Sequence, residues 1–277
     1  MIASSRRPQI ILSGWRPGWS GLFLALVLAS VAGFLLAPWS VEAKSIAVLH
    51  GICAQRPSHS FWFGADRLPF DARMTGIYGG FLITQCYLLA RGRFRASGIP
   101  SLPVIGALSL FVIVMGLDGL NSTFNDMALF TVYQPSNLLR YATGALTGTT
   151  LAVFLWLLTS SLLWRLERQR SEPVVQHIGE LFMIGIGLAG FGWLAMSGWQ
   201  PVYRLLSLLL VCAAISALFQ LSIAFLQLAR RKENTAVTLT DLAGVATGAL
   251  LCAYGFLFFV AGSRFLMEMT LHVKEMA

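Results

Sequence analysis

Charged residues are scarce in this chain, and their scarcity argues against a soluble fold. Only 12% of the 277 residues are Asp, Glu, Lys or Arg, whereas 56% are hydrophobic. A soluble domain carries roughly a quarter charged residues, and a soluble core of this size cannot hide so much apolar surface. We therefore expect lipid to be the solvent for most of the chain.

Cysteine is also sparse, and the four cysteines show no paired spacing. Cys86, Cys212 and Cys252 lie in apolar runs, where a thiol usually behaves as a small hydrophobic group. Only Cys53 falls in a polar stretch. The sequence therefore implies no disulfide framework.

Signatures of nucleotide binding and of proton transport are lacking as well. The glycine-rich run Gly185, Gly187, Gly190 and Gly192 follows no strand and lies within an apolar segment, so it is not a phosphate-binding loop. No run of carboxylates inside the apolar segments marks a proton relay. We also find no internal repeat and no low-complexity linker.

Long apolar blocks are what the sequence does contain, and each has about the 20 residues that a helix needs to cross a bilayer. Backbone amides in lipid must bond internally, and continuous apolar runs lack the alternation of barrel strands. The sequence predicts an all-α polytopic transmembrane helix bundle of about seven spans. The predicted spans are 21–38, 75–90, 102–117, 141–164, 180–199, 204–228 and 242–262.

The basic residues predict the orientation of these spans. A net charge of +8 would suggest nucleic acid binding in a soluble protein, but here the Lys and Arg residues cluster beside the spans, so we expect no nucleic-acid partner. Loops rich in Lys and Arg stay in the cytoplasm. The clusters occupy every second connection, which predicts a cytoplasmic N-terminus and an external C-terminus. They lie at 6–16, 91–95, 165–170 and 230–232.

The first apolar block has an alternative interpretation as a secretory signal. Val41, Glu42 and Ala43 precede Lys44 and resemble a small-residue cleavage site, and cleavage there would leave six spans. Four segments are then predicted along the chain. They are a leader with the first span (1–45), a helical core with polar motifs (46–164), a basic cytoplasmic connection (165–179) and a three-helix membrane extension (180–277).

Polar residues at the outer ends of the first four spans form a candidate site, because the predicted topology places them on one membrane surface. Charges at span ends cost energy unless they pair, reach the interface or line a wet cavity. We expect Asp118 to pair with Arg140, and Asp71 and Arg73 to contribute from a neighbouring helix. The cluster is an anion-binding site or an ion-pair network that only fastens helix ends. Its predicted members are Arg56, Asp71, Arg73, Tyr78, Asp118, Asn121, Asn137 and Arg140.

His50 and Cys53 suggest a different kind of site. They are three residues apart and would share a helical face if residues 42–53 were helical, which would give half of a site for zinc, copper or haem. The alternative is an interfacial histidine beside an inert cysteine, because no second pair of ligands is in view. The pattern establishes no cofactor.

Small-residue spacing predicts close helix packing, since two small residues four apart let membrane helices approach. We also expect Thr84, Gln85, Gln220 and Gln227 to form hydrogen bonds between helices. The pairs with this spacing are Gly76 and Gly80, Gly144 and Gly148, and Gly244 and Gly248.

A series of spaced motifs over about residues 46–160 resembles an uncharacterised bacterial membrane-protein family, domain of unknown function 2085. The resemblance implies an integral protein of the bacterial inner membrane, with the last three helices outside the family domain. It implies no biochemical role. The motifs are Cys53 with Gln55, Arg56-Pro57, Ser60-Phe61, Leu68-Pro69, Ala72-Arg73, Thr75-Gly76-Ile77-Tyr78, Asp118-Gly119, Asn137, Leu139-Arg140 and Thr143-Gly144.

The chain departs from the family pattern at positions that carry chemistry. The pattern reads Cys-His-Gln and then Cys-Ala-Arg-Cys-Thr-Gly, a set of thiols and an imidazole that implies metal or redox work. Here Ala54 replaces the histidine, and Asp71 and Met74 replace the two later cysteines. These substitutions put thiol chemistry in doubt for this chain.

Three functional hypotheses follow from the sequence. The first is a membrane module that binds an anionic lipid, a small ligand or a membrane-protein partner through the charged cluster. The second is a metal- or redox-linked membrane enzyme or metal-handling protein, based on His50 and Cys53. The third is a transporter of small molecules or lipids, for which broken helices in paired halves would be expected.

Overall fold

The computed structural model describes residues 17–231 and 233–271 of the chain. Arg6, Arg7, Arg16 and Lys232, which contributed to the predicted basic clusters, lie outside these residues. The described helices are α1 (Pro17–Leu36), α2 (Val41–Leu49), α3 (Ala72–Ala90), α4 (Leu102–Asp126), α5 (Asn137–Leu163), α6 (Ile178–Met196), α7 (Gln200–Arg230) and α8 (Ala243–Thr270). The strands are β1 (Ser60–Phe63), β2 (Asp66–Asp71), β3 (Ala96–Gly98) and β4 (Arg170–Pro173).

Six helical segments among the described residues are long and apolar enough to cross a membrane. They correspond to α1, α4, α5, α6, α7 and to α8 with the turn before it. The prediction of a polytopic membrane helix bundle is therefore confirmed. Helix α3, the other predicted span, has 19 residues like α6, but it is more polar and much of it is buried in the bundle. That α3 also crosses the membrane stays a prediction.

Local sequence explains where several helices begin. The Asp71 side chain caps α3 by accepting a hydrogen bond from the Met74 amide (3.1 Å), and Ser136 caps α5 by accepting from the Leu139 amide (3.2 Å). Proline lies in the first turn of α4 and of α7, where the missing N–H costs nothing. Helix α4 continues to Asp126, well beyond the apolar stretch that predicted its end at residue 117. Because of this extension, Asp118 lies about two turns inside the helix.

Helices α3 and α5 meet through their backbones. A Cβ atom on Gly76 would overlap the Tyr141 carbonyl oxygen, and one on Gly148 would overlap that of Ile77. Gly80 and Gly144 make equally close approaches, so two of the three predicted glycine pairs form a true backbone contact. The third pair does not, since a Cβ on Gly248 would meet only side chains.

Hydrogen bonds between polar side chains reinforce the centre of the bundle. Thr84 of α3 donates to Thr149 of α5 (3.2 Å), and Gln85 of α3 donates to Gln220 of α7 (3.2 Å). They confirm the interhelical bonds expected of Thr84, Gln85 and Gln220, whereas the bond expected of Gln227 stays a prediction. The main hydrophobic cluster runs from Leu49 to Ala214 and crosses the boundary predicted at 165–179, so the segments 46–164 and 180–277 share one core. Their division stays a prediction from the sequence.

Three connections, 91–101, 164–177 and 231–242, gather at one end of the bundle, which we call the basic end. There β3 pairs in parallel with β4, and the Arg165 amide donates to the Ala236 carbonyl (2.9 Å). The clusters at 91–95 and 165–170 and the described part of 230–232 all lie at this end, as alternating connections require. That this end faces the cytoplasm stays a prediction.

The opposite end, which we call the hairpin end, carries α2, the antiparallel β1–β2 hairpin and the loop 127–136. Helix α1 packs mainly on α8 and is otherwise exposed. The predicted cleavage point after Ala43 lies within α2, where the Lys44 ammonium donates to the Leu35 carbonyl (3.3 Å). A retained first span and a cleaved signal both stay predictions.

Candidate functional site

A cavity of about 390 Å³ opens at the hairpin end. It lies between the N-terminal turns of α3 and α5, the C-terminal turns of α4 and the segment that leads into the hairpin. Four members of the predicted cluster line it, which places them together as the topology argument expected. The lining residues are Ala54, Arg56, His59, Asp71, Arg73, Ser122, Thr123, Asp126, Met127 and Arg140.

Asp118 pairs with Arg73, and the predicted pairing of Asp118 with Arg140 is wrong. The Arg73 guanidinium donates to the Asp118 carboxylate at 2.6 Å and to the Ser122 hydroxyl at 3.1 Å. Asp118 is buried and accepts further hydrogen bonds from Thr143 (3.2 Å) and Tyr133 (2.8 Å). The reason for the difference is the length of α4, which sets Asp118 below the helix end and opposite α3.

Tyr133 belongs to this network although sequence reasoning did not select it. It lies in the loop 127–136 and donates its hydroxyl proton to Asp118. Burial and the hydrogen bond to this carboxylate raise the pKa of Tyr133 to about 12. The phenol therefore stays protonated and holds the loop against α4.

Loss of the Asp118 charge should weaken the fold. We expect Asp118→Asn to lower the free energy of unfolding by about 1.5–3 kcal/mol, because it removes charge-assisted hydrogen bonds and leaves Arg73 unpaired. Thermal unfolding in mild detergent measures the effect. Asp126→Asn is the control, since Asp126 pairs with the half-exposed Arg56 and such pairs contribute less than about 1 kcal/mol. Equal losses in the two variants would contradict this account.

Arg56, Asp126 and His59 form an accessible charged group on the cavity wall. The Arg56 guanidinium donates to Asp126 at 2.6 Å, and the His59 ring nitrogen Nε2 lies 3.9 Å from the same carboxylate. Burial and the nearby positive charge of Arg140 hold the pKa of His59 below its ordinary value. His59 is therefore neutral at physiological pH and adds no positive charge to the cavity.

Arg140 is a cation on the cavity wall that makes no ion pair with a carboxylate of the described residues. It is only 7% exposed and donates a hydrogen bond to the Asn137 amide oxygen (3.0 Å), while the Asn137 amide nitrogen donates to the Ser58 carbonyl (3.3 Å). The nearby Asp71 carboxylate caps α3. Arg140 therefore presents guanidinium donors to the cavity that no carboxylate of the described residues contacts.

Tyr78 and Asn121, two other predicted members, do not line the cavity. The Tyr78 ring stacks on Phe70 with centroids 4.7 Å apart. Asn121 donates to the Tyr133 carbonyl and accepts from the Val132 amide, both at 2.9 Å. These contacts tie the hairpin to α3 and the loop 127–136 to α4.

The condition under which His50 and Cys53 would share a helical face is not met. Helix α2 ends at Leu49, so residues 42–53 do not form one continuous helix. His50 instead lies between the Gln55 amide oxygen (3.2 Å) and the Glu268 carboxylate (3.0 Å). In the part of the chain that the structure describes, no group of three or more His, Cys, Asp or Glu side chains is placed to hold a metal ion.

Cys53 is buried, although it lies in a polar stretch of sequence. Its sulfur accepts hydrogen bonds from the amides of Gln55 (3.4 Å) and Asp71 (3.5 Å). Burial, and next the negative charge of Asp71, raise the pKa of Cys53 to about 12. Because the thiolate is the nucleophile and the metal ligand, the protonated thiol is poorly suited to either role.

Arg264 and Glu268 near the end of α8 are contacts that sequence reasoning missed. Arg264 donates to the backbone carbonyls of His50, Cys53 and Ala54, and its Nε donates to Glu268 at 2.7 Å. Gln55, next in the chain, adopts a left-handed backbone conformation with φ of 56°. The signal available in the sequence was an Arg and a Glu four residues apart beyond the predicted end of the last span at residue 262.

One region of the chain matches a known protein family. The family model described as predicted membrane protein (DUF2085) matches residues 53–154, which confirms the resemblance drawn from the motifs. All residues that line the cavity fall within this match, whereas α6, α7 and α8 lie outside it. No curated protein and no solved structure matched the chain.

Proposed function

We propose that the region matching the DUF2085 family is a membrane module that binds an anionic group in the cavity at the hairpin end. Arg140 is the observation that carries this proposal, since it is buried, lines the cavity and has no ion-pair partner among the described residues. Leaving a buried charge uncompensated costs about 3–5 kcal/mol. A bound carboxylate or phosphate would offset that cost.

The chemistry of the remaining donors supports the same ligand class. Both aspartates that line the cavity already have hydrogen-bond partners, because Asp126 pairs with Arg56 and Asp71 caps α3. The Nε of Arg73 is buried and has no hydrogen-bond partner in the described part of the chain. The cavity therefore has unused guanidinium donors, and a planar guanidinium matches the oxygens of carboxylate and phosphate.

The ion pair between Arg73 and Asp118 fits the alternative of a network that fastens helix ends. That pair joins α3 to α4 and has a stabilising role whatever the cavity binds. Arg140 differs because it makes no such pair. Its substitution therefore separates ligand binding from helix fastening.

We expect Arg140→Gln to weaken binding of inorganic phosphate at least about tenfold, the loss of one charge-assisted interaction. Calorimetric titration of the purified protein in mild detergent measures the affinity. Arg140→Lys should recover only part of the affinity, because it keeps the charge and loses the planar fork. Both variants should remain monodisperse on size exclusion.

Arg204→Gln provides the matched control. Arg204 is exposed in the first turn of α7 at the same end of the bundle, and its replacement changes the net charge equally. Phosphate affinity should be unchanged in this variant. Equal affinities of Arg140→Gln and the unmodified protein would overturn the proposed function, as would equal losses in the Arg140 and Arg204 variants.

A further inference from the structure

The cavity lies at the C-terminal end of α4, a helix long and apolar enough to cross a membrane. Helix α4 carries three of the lining residues near its C-terminus, and it packs chiefly on α5. Most of its surface is therefore left outside the bundle. The ends of membrane-spanning helices lie at the depth of the lipid headgroups, where phosphates are concentrated. The proposed anion site is thus at the depth of the bilayer that is richest in phosphate.

An apolar surface continues directly from the cavity wall. Met127 lines the cavity and is also 64% exposed. Phe124 and Leu120, one and two turns earlier on α4, are exposed on the same helix. Phe130, three residues further along the loop, is 84% exposed. A cavity for a small soluble anion has no need of this surface, whereas an amphiphile would contact both parts.

Contacts hold the apolar loop beside the charged cavity. Asn121 bonds both Val132 and Tyr133, and Tyr133 bonds the same Asp118 that pairs with Arg73. The loop that carries Met127 and Phe130 is therefore connected to Arg73 through the hydrogen bonds of Tyr133 and Asp118. Headgroup and chain contacts would be made by one connected unit of structure.

We infer that the occupant of the cavity is an anionic phospholipid, with its phosphate at Arg140 and Arg73 and its acyl chains along the outer face of α4. This inference rests on the proposed anion site and names its ligand class. A net negative headgroup is favoured over a zwitterionic one, because the ammonium of a zwitterionic headgroup would add back the positive charge that the phosphate offsets at Arg140, which makes no ion pair among the described residues. The exposed apolar residues supply the second, non-electrostatic contact.

Two binding measurements test the inference. Native mass spectrometry compares retention of phosphatidylglycerol with that of phosphatidylcholine, and a calorimetric titration measures inorganic phosphate. We expect phosphatidylglycerol to be retained at least about tenfold better than phosphatidylcholine. Arg140→Gln should lose both this preference and phosphate affinity.

Phe130→Gln separates lipid from free anion. It should reduce phosphatidylglycerol retention and leave phosphate affinity unchanged, because Phe130 belongs to the exposed apolar surface and does not line the cavity. Phe182→Gln is its control, since Phe182 on α6 is also exposed (69%) but lies at the basic end, away from the cavity. Retention should stay at the unmodified level in the control.

The outcomes separate this inference from the proposed function. If phosphate binds through Arg140 but phosphatidylglycerol shows no preference over phosphatidylcholine, the lipid inference is overturned and the anion site stands. The same holds if Phe130→Gln and Phe182→Gln reduce lipid retention equally. If neither phosphate nor phosphatidylglycerol depends on Arg140, both proposals fail.

Discussion

Gly148→Leu is expected to prevent assembly of the helix bundle. The backbone of α5 at Gly148 lies against the backbone of α3, and any Cβ there would overlap the Ile77 carbonyl oxygen. Backbone atoms cannot rotate away as a side chain does, so the helices would have to separate along their longest contact. We expect a loss of more than about 3 kcal/mol, the upper range for overpacking, and little monodisperse protein on size exclusion.

Gly116→Leu is the matched control for this substitution. Gly116 lies in α4, within the same family-matched region, and a Cβ there meets no atom within 4 Å. The leucine side chain would face outward and should leave yield and thermal stability near those of the unmodified protein.

Alanine substitutions at the same two glycines test the backbone contact more sharply, because only one of them should lower the stability. Alanine is favoured over glycine in a helix by about 1 kcal/mol, so Gly116→Ala should be neutral or stabilising. Gly148→Ala should still destabilise, because its Cβ alone creates the overlap. A Gly148→Ala variant as stable as Gly116→Ala would show that α3 and α5 are not in backbone contact.

The second large effect is expected at the basic end, from loss of Arg93. Its guanidinium makes two hydrogen bonds with the Glu180 carboxylate, at 2.6 and 2.5 Å, and both side chains are only 3% exposed. We expect Arg93→Ala to cost about 3–5 kcal/mol, because it leaves the Glu180 charge buried without its partner. The thermal unfolding transition in detergent measures the loss.

Arg91→Gln is the control for Arg93. Arg91 lies 3.9 Å from the same carboxylate, but its side chain is 55% exposed, so its removal should cost less than about 1 kcal/mol. Replacing both charged partners, as in Arg93→Met with Glu180→Met, should recover part of the stability that Arg93→Ala loses. A double variant no more stable than Arg93→Ala would show that the ion pair is not the source of the effect.

The ion pair between Arg93 and Glu180 joins two regions of the chain. Arg93 lies in the family-matched region, and Glu180 lies in the first turn of α6, outside the match. Arg93 also donates to the Val174 carbonyl (2.6 Å), and its own carbonyl accepts from the Trp156 indole (2.8 Å). The pair therefore fastens the three-helix extension to the family region, and its loss should loosen both.

Much of the fold could be predicted because lipid imposes simple rules on sequence. Apolar length located the long helices, and arginine alternation gathered the connections 91–95 and 165–170 at one end. Helix ends were predicted less well. The apolar stretch of α4 stops near residue 117, but the helix continues to Asp126, because helical hydrogen bonding does not depend on contact with lipid.

Four of the eight predicted cluster members line the cavity, and the predicted pairing within the cluster was wrong. Topology alone brought Arg56, Asp71, Arg73 and Arg140 to one surface, and all four line the cavity. The order of the spans could not predict which arginine pairs with Asp118. One turn of helix moves a carboxylate by about 5 Å, whereas an ion pair needs contact within 4 Å. Arg264 was missed because its contacts are with backbone carbonyls distant in sequence, which no residue pattern reveals.

The sequence by itself determined that this is a membrane protein, where its long apolar helices lie along the chain and which charged connections share one end of the bundle. These properties follow from transfer energies that each segment carries locally. The tertiary structure alone decided that Asp118 neutralises Arg73, that Cys53 is buried and that Arg140 lacks an ion-pair partner among the described residues. Such outcomes depend on distances of a few ångströms between helices, which are set by packing such as the glycine contact of α3 with α5.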